Sequence, residues 1–240
     1  MADTVTLIDS ASILVIRDNE KTGALEVLMV KRHAEINFAG GAYVFPGGKV
    51  DPGDLELSNM ISSFPVGYSE LTHTAFREVF EESGLLVGRG ENVEAFRSGL
   101  LNGDISFADF IKQADVTFNV EDLVPFARWV TPRVYPRRFD TRFFLARAPK
   151  GQQASPDFQE TVDVVWGEPI DFIDKYRSDL MFPTMMNLKL LAEAGTVDEA
   201  ITQARARKII TVEPTIEDGI RTIDPAAGYG EIDQGKIHQG

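Results

Sequence analysis

Cysteine is missing altogether from the 240 residues. That excludes a disulfide framework and any thiolate zinc site, and it makes a reducing cytoplasm the expected location. Long apolar runs are missing too. No stretch approaches a membrane span, and Met1-Ala2-Asp3-Thr4 lacks the basic and apolar regions of a secretory signal, so a soluble chain without membrane association is expected. Positive charge is scarce: 24 Lys and Arg stand against 37 Asp and Glu, for a formal charge of -13. That balance disfavours nonspecific binding to nucleic acid or anionic lipid, so a polyanionic ligand must be met by local cations or by metal. No internal repeat or low-complexity tract breaks the chain.

What is present is apolar material for a full core. With 43% hydrophobic content and 16 Phe, one elaborated domain over residues 1–240 is expected. Residues 11–17 (Ala-Ser-Ile-Leu-Val-Ile-Arg) and 25–32 (Leu-Glu-Val-Leu-Met-Val-Lys-Arg) read as two buried strands joined by a polar turn. Gly40-Gly41 then breaks the chain, and residues 42–45 form a short strand leading into Phe45-Pro46-Gly47-Gly48-Lys49-Val50-Asp51-Pro52-Gly53-Asp54. Such a glycine-rich turn lets the backbone approach a metal or phosphate closely.

The rest of the chain is organised around residues 77–85, Arg-Glu-Val-Phe-Glu-Glu-Ser-Gly-Leu. On a helix turning about 100° per residue, Glu82 lies above Glu78, with Glu81 about 60° to one side. Three carboxylates on one face repel one another unless something positive lies between them. Arg77, four residues before Glu81, can hold that carboxylate, leaving Glu78 and Glu82 to face a hard divalent ion such as Mg²⁺ or Mn²⁺. In isolation the same pattern reads as a solvated acidic face. Leu71, Ala75, Val79 and Phe80 supply the buried stripe, Ser69 a cap and Gly84 a stop. His73, on the same helix, reads as a packing or surface residue.

Gly48, the acidic Asp54, and the run from Arg77 through Glu78, Val79, Glu81, Glu82, Gly84 and Leu85 resemble the Nudix box, the signature of hydrolases that cleave a nucleoside diphosphate linked to another moiety. The chain departs from that pattern in two ways. Asp54 stands where the family has Glu, and 22 residues (55–76) separate it from Arg77, so an insertion at about 55–68 is looped out of a box spanning 48–85. Arg32, then eight residues, then Gly41-x-x-x-Phe45-Pro46-Gly47-Gly48 has the spacing of the motif of Nudix coenzyme A diphosphatases. His33 stands there where that motif prefers Ser or Ala, and Asn37 where it has a second Arg. The absence of cysteine argues against the Nudix subgroup that carries a zinc ribbon and cleaves NADH.

Further along, residues 91–115 form a helical insertion with amphipathic pieces at about 95–101 and 106–113, read as a lid or a side layer. Trp129-Val130-Thr131-Pro132 and Pro136-Arg137-Arg138-Phe139-Asp140-Thr141-Arg142-Phe143-Phe144-Leu145-Ala146 are similar to the long Nudix subgroup of peroxisomal CoA and acyl-CoA diphosphatases and their bacterial relatives. Four arginines, Arg133, Arg137, Arg138 and Arg142, crowd this segment. Guanidinium forks match phosphate oxygens, though on a strand only about half can face one site, and some can serve to neutralise neighbouring carboxylates. Residues 159–166 read as a strand. Glu160, just before it, stands where many Nudix hydrolases carry an acid that binds metal or activates water. Helices are expected within about 170–208, one of them beginning near Thr184 after Pro183. The tail, 209–240, is expected to hold a strand pair.

The resemblance implies a Nudix α/β/α sandwich with a mixed sheet. It implies hydrolysis of a phosphoanhydride with Mg²⁺ or Mn²⁺ as cofactor. Glu78, Glu82, Glu81 and a carbonyl at Gly47 or Gly48 are the expected metal ligands, with Arg77, Glu81 and Glu160 in catalytic roles. Arg32, Arg137, Arg138 and Arg142 are the expected substrate contacts. The substrate is a small nucleoside diphosphate derivative: CoA or acyl-CoA first, then ADP-ribose, a dinucleotide or a nucleoside triphosphate. A non-catalytic nucleotide sensor is the reading from another class. Oligomeric state stays open, with a homodimer among the options.

Overall fold

In the computed structural model, residues 6–36, 39–58, 69–230 and 232 are described. Asn37 and most of the insertion expected at 55–68 lie outside them.

The frame is a mixed sheet in the order β3-β2-β1-β6-β5-β8, with β4 added to β1 and β7 to β2. Its strands are β1 (Leu7–Asp18), β2 (Leu25–Arg32), β3 (Tyr43–Val44), β4 (Gly47–Lys49), β5 (Val124–Val130), β6 (Arg138–Arg147), β7 (Thr161–Gly167) and β8 (Thr211–Val212). β1 runs four residues further upstream than its apolar run suggests. It is paired in parallel with β6 over ten positions, from Leu7 with Arg138 to Ile16 with Arg147. On its other edge it takes the glycine strand, with Ala11 opposite Gly48 and Ser12 opposite Gly47.

Side chains of β1 alternate between two cores, which is why it reads as an unbroken apolar run. Ile13 and Val15 pack with Leu28 and Phe144 beneath α2 (Ser69–Ser83), α3 (Glu94–Leu101) and α4 (Phe107–Gln113). Leu14 and Ile16 pack with Val27, Met29 and Leu145 beneath α5 (Pro169–Tyr176), α6 (Phe182–Leu191) and α7 (Val197–Ala206). The result is the expected α/β/α sandwich. On the α2 side, Phe80 stacks on Phe110 of α4 with ring centroids 4.8 Å apart. Among the described residues no helix is long and apolar enough to cross a membrane.

Two local expectations are corrected and a third is narrowed. The start of the expected insertion is helical: α1 (Pro52–Ser58) begins on a proline, whose fixed φ suits a first helical turn. α6 begins at Phe182 with Met181 as its N-cap, so Thr184 is a buried first-turn residue rather than a cap. His73 is 2% exposed, and burial lowers its pKa, so of its two readings packing is the one realised. The tail does form its strand pair, β9 (Thr215–Glu217) with β10 (Ile220–Thr222). Asp218 and Gly219 turn between them at positive φ, as a tight Asp-Gly hairpin requires.

The tail is also tied to the core. Trp129 Nε1 donates to the Tyr229 hydroxyl at 2.9 Å, and that hydroxyl donates to Asn187 Oδ1 at 2.8 Å, all three buried. Tyr229→Phe strands a buried donor and a buried acceptor at once, so it is expected to cost about 1–3 kcal/mol in urea unfolding. A variant within about 0.5 kcal/mol of the parent would contradict that role.

Candidate active site

Helix α2 buries Leu71, Ala75, Phe76, Val79 and Phe80, which fixes its roll and turns Glu78 and Glu82 toward the β4 glycines and Glu81 toward Arg77. Gly84 ends it in the left-handed conformation, φ +72°, with its N–H on the Phe80 carbonyl at 2.8 Å. The two β4 glycines let the sheet come close. A side chain on Gly48 would run into the Glu78 carboxylate, and one on Gly47 into the backbone of Ala11 and Ser12. Glu82 Oε2 accepts the Gly47 N–H at 2.9 Å.

Arg77 is the hub of the cluster. Its Nη1 lies 2.9 Å from Glu78 Oε1 and 3.0 Å from Glu81 Oε2. Nε and Nη2 hold the two oxygens of Asp54, each at 3.0 Å, and Nη2 also reaches the Lys49 carbonyl at 3.2 Å. Asp54, 1% exposed, takes Thr74 Oγ1 at 2.8 Å and the Asp51 N–H at 3.0 Å as well. The expected Arg77–Glu81 pair is present, with one correction: Glu78 is not left free of Arg77. α1 carries Asp54 back to Arg77 despite the inserted residues. Sequence reasoning missed that role, and its only signal was the acid ahead of the box helix.

On the other side of Glu82 stands Arg32. Its Nη1 is 3.7 Å from Glu82 Oε1 and its Nη2 3.8 Å from Glu160 Oε2. The His33 N–H donates to the Glu160 carbonyl at 2.7 Å. Thus Arg77, Glu78, Glu81, Glu82, Gly48, Arg32 and Glu160, drawn from α2, β4, β2 and the approach to β7, meet in one place. The remaining arginines do not join them. Arg138 binds the Thr131 carbonyl and Glu213, and Arg133 shares Glu213. Arg142 pairs with Asp140 at 2.7 Å and Asp9 at 3.2 Å. Arg137 lies over the Phe139 ring. The neutralising use weighed for this segment is therefore the one seen for Arg133, Arg138 and Arg142.

Burial dominates the electrostatics. It pushes the Glu78 carboxyl up to about 7 against the pull of Arg77, with Glu81 and Glu160 adding to the rise. Burial and then Glu78 hold Glu82 well above the usual carboxylate range, opposed by Arg32 and the Gly47 N–H. Glu81 is raised by burial and drawn back by Arg77. Burial works against the Arg77 charge too, yet Glu78, Asp54 and Glu81 together keep its pKa above the ordinary arginine value.

Among the described residues no three His, Cys, Asp or Glu side chains form a ready-made metal cage. The donor set nevertheless suits a hard divalent ion. Glu82 Oε1 is buried with no hydrogen-bond partner, Glu78 lies against Gly48, and two carboxylates plus main-chain oxygen suffice for an ion that keeps several waters.

The raised carboxyl groups have a consequence for stability without metal. From the ordinary glutamate value of 4.5 up to about 7 at Glu78, the native state binds more protons than the unfolded chain, so stability falls as pH rises across that window. Thermal melts in chelator should show this decline. Saturating Mg²⁺ should flatten it, and an upward trend from pH 5 to 7 would contradict it.

The family model described as the NUDT19 Nudix domain matches residues 62–187. Among curated proteins, a putative nudix hydrolase 7 of Caenorhabditis elegans is 26% identical over 226 residues, covering 89% of this chain and 72% of the relative. An acyl-coenzyme A diphosphatase NUDT19 of Xenopus laevis is 24% identical over 237 residues, 74% of this chain and 62% of the relative. Among solved structures, a NUDIX hydrolase from Alicyclobacillus acidocaldarius superposes with a TM-score of 0.73 at 26% identity, covering 83% of this chain and 97% of that one.

Proposed function

The chain belongs to the Nudix hydrolase family, and from that premise we propose that it is a divalent-metal-dependent diphosphatase acting on CoA or an acyl-CoA. The observation that carries the reading is the half-buried Glu78 and the buried Glu82 on a helix pressed against Gly47 and Gly48, with one Glu82 oxygen left without a hydrogen-bond partner. The similarity to an acyl-coenzyme A diphosphatase supports the substrate class.

In the overall reaction a water oxygen bonds to one phosphorus, the bridging P–O bond breaks, and the water's protons go to product and solvent. A bound Mg²⁺ or Mn²⁺ supplies charge neutralisation on the diphosphate and a water of lowered pKa. Glu78, Glu82, Glu81 and the Gly48 carbonyl are the residues that would hold it. Arg77, fixed by Asp54, keeps Glu78 and Glu81 from swinging into solvent. Arg32 offers the site its cation for the diphosphate, since Nε has no hydrogen-bond partner and both Nη contacts are loose. Glu160, 65% exposed at its side chain, is the residue that would act as general base.

A diphosphatase for ADP-ribose, a dinucleotide or a nucleoside triphosphate is favoured by one observation: His33 replaces the small residue of the CoA motif. Incubating the protein with Mg²⁺ or Mn²⁺ and a panel of CoA, acyl-CoA, ADP-ribose, dinucleotides and dNTPs separates these readings. Release of 3′,5′-ADP and a phosphopantetheine from CoA substrates alone supports the first. Broad cleavage supports the second, and binding without turnover defeats both.

A further inference from the structure

The carboxyl end of the box helix is held from outside the helix. The last carbonyls of a helix lack intrahelical partners and commonly turn to water. In α2 three consecutive ones are met by protein. Arg97, on α3, donates to the Glu81 carbonyl from Nε at 3.1 Å and Nη2 at 2.8 Å. The Glu82 carbonyl lies 3.1 Å from the buried Thr161 hydroxyl. The Ser83 carbonyl accepts the Ser155 N–H at 2.9 Å.

These contacts converge on one segment, 155–161. Arg97 also donates to Ser155 Oγ at 2.7 Å and to its carbonyl at 2.8 Å, so a single guanidinium joins α3, the helix end and that segment. Asp157 stiffens the segment by accepting the N–H groups of Glu160 at 2.6 Å and Thr161 at 3.2 Å on one oxygen. Gly84 makes room for the arrangement, since a Cβ there would sit 2.9 Å from Arg97 Nη1. The glycine that ends the helix is therefore also the clearance for the guanidinium.

We infer that Arg97 is a positioning residue, which locks the last turn of the box helix to the segment bearing Glu160 so that Glu82 and Glu160 keep fixed separations about Arg32 and Glu81 keeps its place on Arg77. Without that lock the last turn frays. Fraying displaces Glu81 and Glu82 but leaves Glu78, one turn earlier, in place. The helical insertion thus acts as a buttress to the carboxylates rather than as a lid. The inference rests on the metal-dependent reading above, and its test separates the two.

Mn²⁺ binding is measured by electron paramagnetic resonance on the protein without substrate, for the parent, R97Q, R97K and E82Q. R97Q should weaken Mn²⁺ binding roughly tenfold or more, the scale of losing an outer-shell support. It should lower kcat about as much with KM within about threefold, and R97K should recover part of the loss. Phe107→Leu, which loosens the same insertion at a ring that meets Phe110 and Phe118 rather than the box helix, should lower the melting temperature and leave Mn²⁺ affinity unchanged. If E82Q loses Mn²⁺ and R97Q keeps it, the inference alone is overturned. If E82Q also keeps it, the metal reading has failed and the inference with it. Should R97Q not fold, S155A, which removes one of the guanidinium's partners, carries the test with a smaller loss of Mn²⁺ affinity, and an unchanged affinity there overturns the inference.

Discussion

Glu82→Gln is expected to reduce turnover by roughly a thousandfold or more, the loss of about 4 kcal/mol of charge stabilisation at the reacting phosphate, while leaving the fold intact. The same change should raise the melting temperature of the metal-free protein at pH 8 and leave it nearly unchanged at pH 5. Glu82 is buried among like charges, and its ionised form is the disfavoured one. A neutral amide of the same shape mimics the protonated acid and removes that cost at high pH, where linkage makes the carboxylate a burden. It can still accept the Gly47 N–H. Activity and stability should therefore move in opposite directions, as expected where function keeps a strained charge in place. Near-parental turnover with Mg²⁺, or a lower melting temperature at pH 8, would contradict the assignment.

Asp54→Ala is expected to cost about 3–5 kcal/mol, because it strips a buried guanidinium of its two-pronged partner and leaves the charge behind. For a chain of this size that corresponds to a fall of roughly 6–20 °C in melting temperature. Asp51 provides the contrast. It lies 3.9 Å from Arg77 Nη2 with its side chain 45% exposed, so Asp51→Ala should cost under about 1 kcal/mol. Activity should follow the same order, since Arg77 holds Glu78 and Glu81 only while Asp54 holds Arg77. Equal melting temperatures for the two variants would show that Asp54 does not anchor the cluster.

The contrast between these neighbouring aspartates shows what could be read from the chain and what could not. Glu78, Glu81, Glu82 and Arg77 were legible because their relation is local: spacings of three and four residues fix their relative positions on any helix. β1 and β2 were legible because strands buried on both faces leave continuous apolar runs. Asp54 was obscured because the residues inserted after it break the local spacing, and only the return of α1 brings it to Arg77. The arginines of β6 suggested a phosphate clamp, but Arg138 and Arg142 are met by Glu213 and Asp9, carboxylates remote in sequence that no periodicity announces. Arg97 left no signal because its acceptor at Glu81 is a main-chain carbonyl, which every residue possesses.

The parallel pairing of β1 with β6 also governs how the chain must assemble. Ser10 meets Thr141 across 131 positions, so at about 5–20 residues per second the first strand leaves the ribosome roughly 7–26 s before its longest neighbour exists. During that interval Leu14 and Ile16, whose covering helices α5, α6 and α7 also lie downstream, keep an uncovered apolar face beside a free strand edge, the sort of surface that invites aggregation. Fragments halted before residue 138 should accordingly be insoluble, and the full chain should refold slowly, as expected when distant pairings dominate.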